Sequence, residues 1–68
     1  MTWTPDTVRS LRSRLGLSQR QFAELIARTS VHLARCGKTT VAQWEQGLRS
    51  PDLAHSEALN AIAAQDRP

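Results

Sequence analysis

Cys36 is the only cysteine among 68 residues, which removes the staple on which many chains of this size rely, because no internal disulfide can form. A domain this small buries only about 60% of the surface its unfolded chain exposes. Stability must therefore come from dense helical packing or from dimerisation. Residues 1–68 read as a single domain. There is no apolar run long enough to cross a bilayer and no apolar stretch behind a basic start. The expectation is a soluble, cytoplasmic protein with no membrane partner.

Charge is a weaker guide. Nine basic residues against six acidic ones give a formal charge of +3, and every basic residue except Lys38 is arginine. Such an excess suits phosphate contacts, and an ordinary solvated surface accounts for it equally well.

Local signals predict an all-α fold, a compact bundle of four to five helices. Thr4 can cap a helix that Pro5 and Asp6 open; Val8, Leu11 and Leu15 share one face, and Gly16 stops it. This places the first helix over roughly residues 5–15. Ser18 and Gln21 have the Ser-x-x-Gln spacing of a capping box. They start a second helix that buries Phe22, Ala23 and Ile26, with Leu25 at the edge. A third periodic piece runs from about Lys38 to Gln46 and closes on Gly47. It sets Val41, Trp44 and Leu48 on one side and Thr39, Ala42, Gln43 and Gln46 on the other. Ser50-Pro51-Asp52 caps a last helix carrying Leu53, Ala58, Leu59, Ile62 and Ala63. The tail 65–68 should fray.

Residues 28–37 resist this treatment. Val31 and Leu33 alternate with polar residues, yet Leu33, Ala34 and Cys36 would equally prolong a helix. The segment reads as a long loop or as a loop holding one extra helical turn. Its Arg28, His32 and Arg35 could add phosphate contacts or form a surface for a protein partner.

Two charges stand where apolar residues belong. Arg12 lies at i+4 from Val8 and i−3 from Leu15, and Glu45 lies at i+4 from Val41 beside Trp44. A guanidinium turned toward the core needs a partner, so an Arg12–Glu45 ion pair is inferred between the first and third helices. The alternative is that Arg12 extends to water along its stem and Glu45 pairs with another arginine.

The outer face of the third helix offers Thr39, Ala42, Gln43 and Gln46, with Lys38 at its entry and no acidic residue. Glutamine can bond adenine N6 and N7 together, and Ala or a Thr methyl can touch the thymine methyl. A merely solvated helix is the alternative for these residues. Candidate phosphate contacts flank the face. Gln19 and Arg20 stand in the first turn of the second helix, where free amides favour an anion, and Arg49 and Ser50 follow the third.

Taken together, LRSRLGLSQRQFAELI (residues 11–26) and TTVAQWEQGLRSP (residues 39–51) resemble the phage-repressor and Cro-type (XRE-like) helix-turn-helix family. The matching elements are Arg12 before Gly16-Leu17-Ser18-Gln19, then Phe22-Ala23 with Ile26, then Thr40-Val41, Trp44-Glu45-x-Gly47 and Pro51. The resemblance implies a lambda-repressor-like helix-turn-helix bundle. In that family the third helix enters the major groove of double-stranded DNA, usually as a homodimer over two half-sites. It further implies base-reading roles for Lys38, Thr39 and Gln43, a phosphate contact at Gln19, a backbone-contacting loop at Arg49 and Ser50, and an internal Arg12–Glu45 pair. Two features depart from the family. The connection at residues 28–37 replaces a short turn of the Gly-Val-Ser kind, and one helix follows Pro51 where many relatives have two. A dimer would have to use this shortened half, with Leu48, Leu53, Leu59 and Ile62 as candidates.

Other chemistries find less support. His32 and Cys36 at i,i+4, with His55, give three soft ligands where structural zinc usually takes four, so neither metal nor cofactor is expected. Nothing marks an oxyanion site for a Cys36–His nucleophilic pair, so no enzyme activity is expected, and Cys36 reads as a small buried or half-buried residue. Trp44 belongs with Val41 in the core rather than on a stacking surface. Trp3 either folds back onto the first helix or meets a second chain.

The resulting expectation is a sequence-specific double-stranded DNA-binding regulator, an autoregulatory repressor on an inverted repeat, autoregulation entering by analogy because no ligand-sensing domain is visible. The rival is an antitoxin-like protein-interaction module that uses residues 28–37 as its contact surface.

Overall fold

The computed structural model describes residues 3–30, 33 and 35–66. Among them are four helices and no strand: α1 (Pro5–Leu15), α2 (Gln19–Thr29), α3 (Lys38–Glu45) and α4 (Leu53–Gln65). Three of the four begin on a side-chain cap. Thr4 Oγ1 accepts from the Thr7 N–H at 3.2 Å, while Thr7 Oγ1 accepts from the Thr4 N–H at 2.8 Å. Ser18 and Gln21 make the same reciprocal exchange at 3.1 and 2.9 Å, and Asp52 Oδ1 accepts from the His55 N–H at 2.9 Å. Each cap satisfies amides that the helix itself leaves free. Gly16 ends α1 with φ of 69°, a left-handed conformation open to glycine at little cost.

One apolar core joins the helices. Val8 and Leu11 come from α1, Phe22, Ala23 and Ile26 from α2, Val41 and Trp44 from α3, and Ala58, Leu59 and Ile62 from α4. α3 packs against both α2 and α1, and α2 also packs against α4. Two core members lie outside the helices. Trp3 is buried and its Nε1–H donates to Asn60 Oδ1 at 3.0 Å, which ties the segment before α1 to α4. Leu33 is buried too, and reaches the core from the connection between α2 and α3.

That connection contains a short helical turn: the Leu33 N–H donates to the Ser30 carbonyl at 3.0 Å and the Cys36 N–H to the Leu33 carbonyl at 2.9 Å. The readings that rest on Val31, His32 and Ala34 lie outside the described residues. So does the end of the fraying tail at Arg67 and Pro68.

Two expectations, for Leu48 and for the tail, are corrected, and Leu53 is placed outside the core. Leu48 does not join the buried side of α3 but is 69% exposed. The helix stops at Glu45 and Gly47, with φ of 77°, turns the chain away, so helical periodicity no longer governs position 48. Leu53 is 76% exposed, because at 3.6 residues per turn it falls opposite Ala58, Leu59 and Ile62 on α4. Gln65 and Asp66 are held rather than frayed. Gln65 completes α4, and Asp66 Oδ2 lies 2.9 Å from Arg14 Nη2 of α1.

Burial separates the leucines energetically. Leu59→Ala should lower unfolding free energy by about 2–5 kcal/mol, whereas Leu48→Ala should stay within about 0.5 kcal/mol of the parent. Urea midpoints of the two variants measure the contrast, and equal midpoints would remove Leu59 from the core.

Candidate nucleic-acid interface

The Glu45 carboxylate organises the surface around α3. Its side chain is 5% exposed. Arg12 of α1 grips it in fork fashion, Nε to Oε2 at 2.7 Å and Nη2 to Oε1 at 2.9 Å, the two-point geometry that suits a planar guanidinium. Arg12 Nη1 also donates to the Leu17 carbonyl at 3.0 Å, which binds α1 to the turn before α2. The Gln19 amide at the start of α2 donates to Glu45 Oε1 at 3.5 Å. Burial on its own would push the Glu45 carboxyl up, but the hydrogen bond and charge of Arg12, with Gln19 and Arg9, hold it below the usual carboxylate range. The same hydrogen bond raises Arg12 further above its already high value, outweighing its partial burial. No buried side-chain polar atom among the described residues lacks a partner.

Sequence reasoning missed Arg9. Its Nη2 donates to the Glu45 backbone carbonyl at 2.9 Å, and its Nε lies 3.8 Å from Glu45 Oε1. α1 thus holds both the side chain and the last carbonyl of α3. Its spacing of three residues before Arg12 is the signal that could have found it, since i and i+3 share a helical face. His55 was missed as well. Its ring meets Trp44 edge-on at 5.1 Å, and its Nδ1 lies 2.7 Å from Asp52 Oδ1.

With Val41, Trp44 and Glu45 buried, the opposite side of α3 is left open. Lys38, Thr39 and Gln46 are exposed there, and Ala42 and Gln43 are partly exposed. Gly37 caps α3 without a side-chain bond, and no acidic residue occupies the first turn. The amides of Leu48 and Arg49 both donate to the Gln43 carbonyl, at 3.0 and 3.4 Å, so the turn bearing Arg49 and Ser50 is folded back onto the end of α3. Both side chains are exposed. Gln19 is half-buried through its tie to Glu45, and Arg20 is exposed with Nε 3.5 Å from Glu24 Oε1.

Among the described residues no three His, Cys, Asp or Glu side chains stand close enough to hold a metal ion, and His32 lies outside that set. Cys36 is half-buried, its thiol pushed up by burial and by the charge of Asp52. No helix is long and apolar enough to cross a membrane among these residues. No model of a protein family, no curated protein and no solved structure matches this chain.

The folded-state carboxyl of Glu45 titrates below its value in the unfolded chain. The pair therefore contributes fully above the ordinary glutamate range, and its contribution is lost as pH falls through the lower, folded value. Glu45→Gln should cost about 1.5–3 kcal/mol at neutral pH, the scale of a hydrogen bond to a charged group. It should also flatten the loss of stability in acid. Urea unfolding of parent and variant at neutral and acidic pH tests both, and identical acid dependence would show that Glu45 does not carry the effect.

Proposed function

We propose that this chain is a sequence-specific double-stranded DNA-binding regulator of the phage-repressor and Cro-type helix-turn-helix kind, with α3 as the helix that enters the major groove. The observation that carries the reading is the division of α3 into two sides. One is locked to α1 and α2 through Glu45, and the other presents Lys38, Thr39, Ala42, Gln43 and Gln46 to solvent without an acidic group. Side chains that read base edges need such rigid support, since a loosely held donor cannot discriminate between base pairs.

On this reading Gln43, near the middle of α3, reads a base edge together with Thr39 and Gln46, and Lys38 and Ala42 complete the contact face. Gln19, Arg20, Arg49 and Ser50 bind phosphates and fix the register. Among the described residues, the exposed large apolar side chains Leu48 and Leu53 are candidates for a homodimer contact, which would place two copies on an inverted repeat. Autoregulatory repression follows by analogy with small regulators of this kind. The antitoxin-like alternative takes its support from the long connection. Because that segment sends Leu33 into the core, deleting it wholesale would disturb folding, and point substitutions at its exposed residues are the better probe.

Selection of duplexes from a randomised pool, followed by fluorescence-anisotropy titration against a shuffled control, tests the reading. The selected duplex should bind tighter by a factor of about 10³ or more. Gln43→Ala should cost about 1–3 kcal/mol at a single base pair, whereas Arg49→Ala should weaken all sequences alike and lower the salt slope by about one. Weak, steeply salt-dependent binding that is equal for both duplexes would leave only the phosphate term and would turn attention to a protein partner.

A further inference from the structure

Beside α3, on the side away from Gln19, lies an open cleft of about 180 Å³ lined by Leu33, Arg35, Cys36, Thr40 and His55. Two of its lining groups are polar donors with no partner among the described residues. Arg35 is exposed and forms no ion pair among the described residues, and the Thr40 hydroxyl makes no hydrogen bond among them. The opposite wall holds His55, whose N–H and Nδ1 engage the Asp52 carboxylate. The charge of Asp52 reaches the Cys36 thiol, so an anion in the cleft is favoured only at the end formed by Arg35 and Thr40. The floor is Leu33, the residue that anchors the connection to the core.

The position of the cleft relative to the contact face is the informative part. Around α3, at 3.6 residues per turn, Glu45 and Thr40 mark the two edges of the open face, with Ala42, Gln46, Thr39 and Gln43 between them. The Glu45 edge carries Gln19, whose amide reaches the Glu45 carboxylate. The Thr40 edge carries the cleft and Arg35. A helix lying in a major groove has one phosphate backbone along each side, so a phosphate-binding group on each edge is what that placement requires.

We infer that the cleft between the connection and α4 seats one backbone phosphate of duplex DNA, on the strand opposite the one met by Gln19, with the Arg35 guanidinium and the Thr40 hydroxyl as its donors. This rests on the DNA-binding reading above and gives the long connection a definite task. It carries Arg35 to the far wall of the groove, where Leu33 holds it in place. Guanidinium and hydroxyl together suit a phosphate oxyanion better than a point charge alone would.

The test uses the full chain and the tightest duplex from the selection. Arg35→Gln should reduce the slope of log affinity against log salt by about 0.9, the value of one phosphate contact on B-DNA, with the thermal melt of the free protein unchanged. Arg28→Gln removes a cation that does not line the cleft and should change the slope less. Neutral methylphosphonates are then placed one at a time along both strands. At one phosphate, the wild-type protein should lose affinity on the order of tenfold, while Arg35→Gln and Thr40→Val should each lose markedly less at that same phosphate. An unchanged slope for Arg35→Gln, equal slopes for Arg28→Gln and Arg35→Gln, or no phosphate at which the variants differ from wild type would each overturn the cleft while leaving the proposed function standing. Failure of the wild-type protein to prefer any duplex would overturn the proposed function, and the cleft with it.

Discussion

A single carboxylate, nearly closed off from water, decides how α1, α2 and α3 are set against one another. Glu45 is held from α1 by the fork of Arg12 and by Arg9, and from the start of α2 by Gln19. Measured against apolar residues of the same shape, buried pairs of this kind add little net stability, because desolvation offsets much of the Coulombic attraction, although removing one partner alone strands the other. What the pair imposes is orientation. Apolar side chains at positions 12 and 45 could fill the same space, but they would accept many relative rotations of α3, whereas a bidentate guanidinium accepts few. The apolar core around Phe22, Ile26 and Leu59 makes the chain fold. The ion pair then fixes which side of α3 is left outside.

The parts of this arrangement that are local along the chain are legible in the amino-acid sequence alone. The caps at Thr4, Ser18 and Asp52 each depend on residues within one turn, and Gly16 stops α1 through its own backbone freedom. Arg12 and Glu45 can be matched because each is a charge set within an apolar stripe. Legibility fails where tertiary placement decides. Arg9 binds a backbone carbonyl 36 residues away, and a carbonyl leaves no mark in a sequence. Extending a helical period past the end of α3 misplaces Leu48. Leu33 enters the core from a segment whose pattern suits an alternating stretch and a helix equally well, so the sequence does not single out its burial.

The connection between α2 and α3 illustrates how a departure from a short turn can be accommodated. Extra residues in a surface loop carry only a modest entropic penalty, but they leave the following helix less firmly placed. Here the segment is tied both by the i→i+3 hydrogen bonds around Leu33 and by the burial of its side chain. α3 is thereby entered from a fixed point. On the proposed function this matters as much as the residues of the contact face, since readout depends on where the helix begins as well as on what it carries.

The clasp between Trp3 and Asn60 has a consequence for how the chain comes to be folded. Partners 57 residues apart in sequence meet in one hydrogen bond, and Leu59 and Ile62 beside them complete the core. A nascent chain holding only α1, α2 and α3 would leave the Trp3 indole without its Asn60 partner and the part of α2 that faces α4 uncovered. The helices could flicker into being during synthesis, yet the assembled domain could form only after α4 had cleared the ribosome exit, and it would then close in one cooperative step.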